Sequence, residues 1–549
     1  MKKDELALVF LIILLLCAAA VAAAAGALTG PSGRGGAVEA PFAAGEEKVS
    51  ACFTDGDHYA SLLAGKTRQD FDPAVIRFEG KALPYDSASN TLYIPQDIRE
   101  GEWKGVLSAS APFSRICILD KESGDMEKCI EEGKILKIAA ISDRNYMECG
   151  VIFTGLPTVS LTNGGRTPEP EEEYSGVFCV LDPAREQYQE ADCSFHIRGA
   201  TSTIFDKKSY RVELKKTDTG SDKAGFLGFR RDDDWILNSL CTDRSLAREK
   251  VCYDLWKRLN EEEEDPVPSS QIEYCELFLN NEYMGVYGLM FPVDKKLMGM
   301  EAGDLLYKVE AWYEEMDVEG SLTDYNGKSE IRCKNGASYL SLKYPKEEGK
   351  ACIYDPFALY QEMVFETGDP QALEQAGITL DLDNFILHEL FCEMTRAGDN
   401  TWKNMFIAAR SDGRGGYTFS ETIWDLNYTF GDDFKWDPDH GNTVFRAETV
   451  DSYKLRYDRD YGYSTLVQAV EGLRKDTAEK WNTWRSAGIG PEYVSCLFDE
   501  NRELLNRSGA FARNRERWSA PDEEIAYAGI SDWISGRFQF LDEMYGYKE

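Results

Sequence analysis

One stretch constrains this chain before any other: residues 6 to 28, LALVFLIILLLCAAAVAAAAGAL, carry no charged or strongly polar side chain. A helix needs roughly 20 apolar residues to cross a bilayer, and this run supplies them. Lys2 and Lys3 precede it, which places the amino terminus in the cytoplasm and the bulk of the chain outside. Asp4 and Glu5 dilute that signal, and the alanine-rich end suits a signal peptidase. The run exceeds a usual signal-peptide core, so the expectation is an uncleaved anchor with an extracytoplasmic main domain, the alternative being a secreted protein. Leucines fill the positions before Cys17, where a lipidation signal wants a small residue.

Outside the cell disulfides are permitted. Of the 14 cysteines, 13 follow the apolar run, an odd number at irregular spacing, without the paired C-x-x-C spacing of a zinc site. Mostly buried free thiols are expected. Lysine and arginine total 61 against 96 acidic residues, a net charge of −35. Such a field repels phosphate backbones and excludes a nucleic-acid partner. It repels nucleotides too, so any nucleotide site has to be a local basic pocket screened by metal.

Residues 29 to 47, rich in Gly, Ala, Pro and Ser, read as a linker. From 48 to 145 short alternating runs such as AVIRFEG and GKILKIAAI predict a small all-β module. From 146 to 549 the pattern is mixed α and β. SYRVELKK predicts a strand with Tyr210, Val212 and Leu214 on one face. Residues 245 to 259 predict a helix capped by Asp243 or Ser245. IEYCELFL, Asn280-Asn281 and EYMGVYGL predict a β-hairpin. Residues 383 to 396 predict a helix with Ile386, Leu390 and Met394 in register. NMFIAAR, SDGRGG and YTFSETIW predict a second hairpin, and the last hundred residues predict mostly helix.

The local chemistry concentrates around that second hairpin. Before it stands Gly398-Asp399-Asn400-Thr401-Trp402-Lys403-Asn404, and after it Trp424-Asp425-Leu426-Asn427. An aspartate, four residues and an asparagine is the spacing of a protein-kinase catalytic loop, followed there by a metal-binding aspartate. Phosphoryl transfer needs hard oxygen ligands for Mg²⁺ and fixed charge around an in-line displacement. The plain alternative is that Asp399 caps a turn and Asp425 ends a strand. A second cluster is basic: Arg198, Ser202, Lys207, Lys208 and Arg211, either an anion site or a solvated strand edge. Other chemistries lack their motifs. There is no P-loop, no G-x-S-x-G elbow, and His388-Glu389 lacks the second histidine of a zincin. Asp432, Asp433, Asp437 and Asp439 crowd near His440 without EF-hand spacing and read as a solvated acidic loop.

Five separated stretches together resemble the CotH kinase family, named for a spore-coat protein: 197 to 216, 226 to 256, 274 to 289, 398 to 407 and 424 to 431, in the family's order. The resemblance covers roughly 150 to 545. It implies an α+β fold, an atypical two-lobed protein-kinase-like domain, here preceded by the small all-β module and the amino-terminal transmembrane helix. It implies transfer of the ATP γ-phosphate, with Mg²⁺ or Mn²⁺, to Ser/Thr-rich envelope or spore-coat proteins. Carried over by motif, Asp399 is the catalytic-loop acid, and Asn404 and Asp425 hold metal. Lys207 or Lys208 contacts nucleotide phosphates, supported by Arg198, Ser202 and Arg248. Two positions depart from the family: Asn427 stands where a second aspartate is usual, and Phe291 where a glutamate is usual. These departures imply the alternative of an inactive surface scaffold.

Overall fold

A computed structural model describes residues 46 to 548 except 50–51, 99–105, 120–125, 200, 216–222, 315–328, 334–335, 347–350, 363–369, 398–399, 401–402, 437–442 and 448–471. The apolar run 6 to 28 and Asp399 therefore lie outside the described residues. Among those residues no helix is long and apolar enough to cross a membrane. The fold is mixed α and β, and its main compact unit spans Glu47–Glu549.

The amino-terminal module is built chiefly on a sheet around Arg115–Leu119, Leu136–Ile141, Asn145–Thr154 and Thr91–Pro95. Two expectations change here. The module also holds short helices, Gly56–Leu63 and Met126–Glu131. Its expected edge at residue 145 falls at the start of a ten-residue strand that pairs with 136–141 and runs parallel to 91–95. Breaking the chain there would strip a central strand from its sheet, so the module extends to Thr154.

A closed seven-stranded barrel follows. Its strands are β1 (Thr158–Thr162), β2 (Glu173–Asp182), β3 (Gln187–Arg198), β4 (Ser209–Leu214), β5 (Asp234–Asn238), β6 (Ile272–Leu279) and β7 (Glu282–Met290). The order is β1-β2-β3-β4-β5-β7-β6, closed by parallel pairing of β6 with β1. Alternation makes the barrel: Tyr210, Val212 and Leu214 point into a core shared with Phe178, Phe195 and Trp235. The β6–β7 hairpin turns at Asn280 and Asn281, both at positive φ (52° and 63°), as a two-residue primed turn requires.

Helix α1 (Arg248–Asn260) leaves the barrel and is largely buried, with Lys257 exposed and Lys250, Asp254 and Arg258 half-buried along one stripe. Its N-cap position is Ala247 rather than the expected Asp243 or Ser245, but Asp243 still accepts from the first helical N–H, that of Arg248, at 2.7 Å. A second sheet then forms from β8 (Leu305–Glu314), β9 (Ser329–Cys333), β10 (Gly336–Tyr344), β11 (Ile378–Leu380), β12 (Met405–Ser411) and β13 (Tyr417–Ile423), in the order β9-β10-β8-β12-β13-β11. Helix α2 (Leu382–Thr395), capped by Asp381, packs on it. Its His388 is fully buried, with Nδ1 3.0 Å from Glu421 Oε2, an ion pair inside the core rather than a metal ligand. The carboxyl-terminal helices include α3 (Leu473–Ser486), α4 (Pro491–Arg507), α5 (Ala510–Trp518) and α6 (Ile530–Tyr545). Helices, barrel helix and second sheet share one core.

Module, barrel and tail meet at one carboxylate. Glu276 on β6 receives both Nε and Nη2 of Arg513 at 2.9 Å, the Tyr283 hydroxyl at 2.5 Å, and the Thr154 hydroxyl. Glu276 is wholly buried and Arg513 nearly so. Tyr93 of the module stacks on Tyr283 at 5.3 Å beside them. Removing one partner of such a pair strands the other charge in a dry interior, at a cost of about 3–5 kcal/mol. Glu276→Ala is therefore expected to lose about that much stability in urea unfolding, and Glu276→Gln, which keeps the shape and part of the bonding, to lose less; equal losses would show that the charge itself is immaterial.

Candidate functional site

Residues Met405 and Ile423 pair across the β12–β13 hairpin. Asn404 and Trp424 are therefore neighbours just beyond its open end, and Asp425 follows directly. The backbones of Asn404 and Asp425, the two residues expected to hold metal, thus lie at the same end of one hairpin. Both sit at positive φ, 52° for Asn404 and 59° for Asp425. That region is sparsely populated for residues with a Cβ and persists only where surroundings impose it. The Asn404 N–H is held by the Val309 carbonyl of β8 at 3.1 Å. The Asp425 side chain is exposed, whereas Trp424 beside it is buried.

Strand β3 delivers Arg198 to the same place. Its guanidinium lies 5.6 Å from the Trp424 ring centre, a cation–π contact that ties barrel to second sheet one residue from Asp425. Gly199 follows at φ 117°, and a Cβ there would collide with the Ser202 hydroxyl, so the loop closes on itself only with glycine. Ser202 is half-buried in that loop.

The other predicted basic residues are engaged by protein partners. Lys207 is buried and donates to the Val286 carbonyl at 2.6 Å and Asn514 Oδ1 at 2.9 Å, with its ammonium 4.8 Å from the Tyr287 ring centre. Burial lowers its pKa to about 7. Lys208 donates to the Thr203 and Phe205 carbonyls at 2.7 and 2.5 Å and so clasps the loop that carries Ser202. Arg248 is buried, paired with Asp243 at 2.7 Å and donating to the Thr429 carbonyl at 3.0 Å. Arg211 pairs with Asp234. Of the basic cluster, the structure brings Arg198 to the hairpin end and commits Lys207, Lys208 and Arg248 to protein acceptors.

One acid escaped the sequence reading. Glu249, in the first turn of α1, is buried, and its Oε2 accepts from Asn238 Nδ2 at 2.7 Å. Burial, then the nearby Asp425 carboxylate, raises its pKa to about 8. The signal in the sequence was its spacing: Glu249 falls on the helix face of Cys252, Tyr253 and Trp256, off the stripe of Lys250, Asp254 and Lys257. At the departures from the family, Asn427 Nδ2 donates to Thr242 Oγ1 at 2.7 Å, and Phe291 is buried edge-on against Phe229. Of the acidic loop, Asp432 is buried 3.9 Å from Arg248, and 437 to 440 lie outside the described residues. Among the described residues no group of three or more His, Cys, Asp or Glu side chains is placed to hold a metal. Cys149, Cys179, Cys193, Cys252 and Cys275 are buried free thiols, as expected.

A barrel and a mixed second sheet thus meet at a polar junction of Arg198, Glu249, Asn404 and Asp425. A family model described as CotH kinase protein matches residues 195–541. With more than half its length matched, this chain belongs to the CotH kinase family. Among curated proteins no match is found.

Because the Glu249 pKa is raised above its ordinary 4.5, the folded protein holds a proton there that the unfolded chain releases. Stability from this group therefore falls as pH rises from 4.5 towards 8. In metal-free protein, Glu249→Gln is expected to flatten that fall, so that the variant gains on wild type between pH 5 and pH 8 in urea unfolding. A constant difference across that range would place Glu249 in a more solvated setting.

Proposed function

We propose that this chain is an atypical protein kinase, Mg²⁺- or Mn²⁺-dependent, that transfers the ATP γ-phosphate to Ser or Thr of envelope or spore-coat proteins. What supports the reading most is that Asn404 and the Trp424-Asp425 step lie at one hairpin end, with Asp399 five residues before Asn404 in sequence, in a member of the CotH kinase family. The donor set suits the cation: an exposed carboxylate and an amide oxygen are hard oxygen ligands, and phosphate oxygens complete a Mg²⁺ shell. The bound cation would supply neutralisation of phosphate charge. Asn404 and Asp425 would hold it. Asp399 would take the proton of the acceptor hydroxyl as its oxygen forms the new P–O bond and the bond to ADP breaks. Arg198 and Ser202 would face the phosphates, while Lys207, Lys208 and Arg248 would reach them only by releasing their present acceptors. The domain is proposed to work outside the cytoplasm, anchored through residues 6 to 28, or secreted if that segment is cleaved.

A non-catalytic surface scaffold is the second reading. The observation favouring it is that both lysine ammoniums, Lys207 and Lys208, are satisfied by protein carbonyls and amides. Calorimetry with Mg-ATP separates the readings, since a scaffold need bind none. For the kinase reading, labelled phosphate from γ-labelled ATP is expected on a Ser/Thr-rich acceptor, with Asp425→Ala reducing it at least about 100-fold. Equal incorporation by wild type and Asp425→Ala would overturn it.

A further inference from the structure

Asn404 and Asp425 occupy separate segments, and each sits in a backbone conformation that does not hold itself. One side chain reaches both. Asn400 is almost wholly buried. Its Nδ2 donates to the Asn404 carbonyl at 3.0 Å and to the Trp424 carbonyl, immediately before Asp425, at 2.7 Å. Its own backbone N–H donates to the carbonyl of Ala397, two residues beyond α2, at 2.9 Å. Its Oδ1 is buried with no hydrogen-bond partner among the described residues. The carboxamide is thus oriented by its two donor contacts alone.

We propose that Asn400 is a positioning residue that sets the separation and orientation of Asn404 and Asp425, and through them the affinity for the divalent cation. The inference rests on the cation reading above and adds the device that makes the two ligands converge. The chemistry is specific to asparagine. Two carbonyl acceptors need two N–H hydrogens on one nitrogen at this reach. A serine hydroxyl has one hydrogen, an aspartate of the same shape has none, and its oxygens repel both carbonyls. Partners that orient metal ligands without touching the metal typically govern about 10–100-fold of affinity.

The test uses the full chain, with Mn²⁺ as the probe followed by electron paramagnetic resonance. Amide hydrogen exchange over 403–407 and 422–427 in metal-free protein gives a second readout. Asn400→Asp is expected to weaken Mn²⁺ binding at least about tenfold and to speed exchange in both segments; Asn400→Ser, which keeps one donor and serves if the aspartate variant does not fold, is expected to fall between. A role confined to general stability would lower the melting temperature while leaving the Mn²⁺ affinity of the folded protein and the relative exchange of these segments unchanged, and that result would overturn the proposal. Wild-type affinity in the Asn400 variants, with binding lost in Asp425→Ala, would also overturn it and leave the cation reading standing. Mn²⁺ uptake indifferent to Asp425→Ala would overturn both.

Discussion

The Glu276–Arg513 pair holds together three parts of the chain that are remote in sequence. Its carboxylate sits on a barrel strand, its guanidinium on a carboxyl-terminal helix, and Thr154, the last residue of the module's central strand, donates to the same carboxylate. A buried ion pair is a poor source of net stability, because desolvating both groups costs about as much as their attraction returns. It is a strong specifier of arrangement, because no other docking of α5 satisfies Glu276. The surroundings agree. Asn514, one residue on, accepts from the Val286 backbone N–H, and Trp518 Nε1 donates to the Met284 carbonyl, which the β6–β7 register shift leaves free. Gly285 makes the approach possible: any Cβ there would strike the Asn514 carboxamide.

The same device recurs nearer the candidate site. Arg537 of α6 and Glu393 of α2 form a fully buried pair at 2.5 Å, with Arg537 Nε also donating to the Glu393 carbonyl. Burial outweighs Glu393 and lowers the Arg537 pKa to about 10. Helix α2 ends two residues later, and its exit leads to Ala397, which holds Asn400, which holds Asn404 and Trp424. The carboxyl-terminal helices therefore act on the hairpin end without contributing a side chain to it: they fix the helix from which the 397–404 segment departs.

How much of this was legible in the sequence follows from the range of the interactions. The 209–214 strand, the Asn280-Asn281 hairpin, α1, α2 and the 405–423 hairpin rest on local periodicity, capping and turn chemistry, and all stand where expected within a few residues. That Asn404 and Asp425 share one end of a hairpin was legible because a hairpin brings its ends together. What depended on distant partners was not. Parallel closure of the barrel by β1 and β6 leaves no local mark. Nor does the destination of a lysine: Lys207 and Lys208 looked like a basic edge, and one fills the interface between β7 and α5 while the other clasps its own loop. Glu249 was missed for the converse reason, being a charged residue on the buried face of a helix whose other charges, Lys250, Asp254, Lys257 and Arg258, lie along the side nearer solvent.

Glu249 also bears on what the junction attracts. Two carboxylates facing one approach would repel a polyanion in a chain already carrying −35. Burial, reinforced by Asp425, pushes the Glu249 pKa to about 8, so at neutral pH the buried acid keeps its proton and Asp425 stands as the exposed carboxylate of the pair. Arg198, held on the Trp424 ring, offsets part of that charge. On the proposed kinase reading, such a junction would be a weak site for a bare triphosphate and a better one for a triphosphate that arrives with its divalent cation, since the cation would reverse the sign of the encounter at Asp425. On that same reading, the protonation of one buried glutamate rather than a lining of lysines would favour a metal-bound nucleotide, and both lysines are spent on the scaffold.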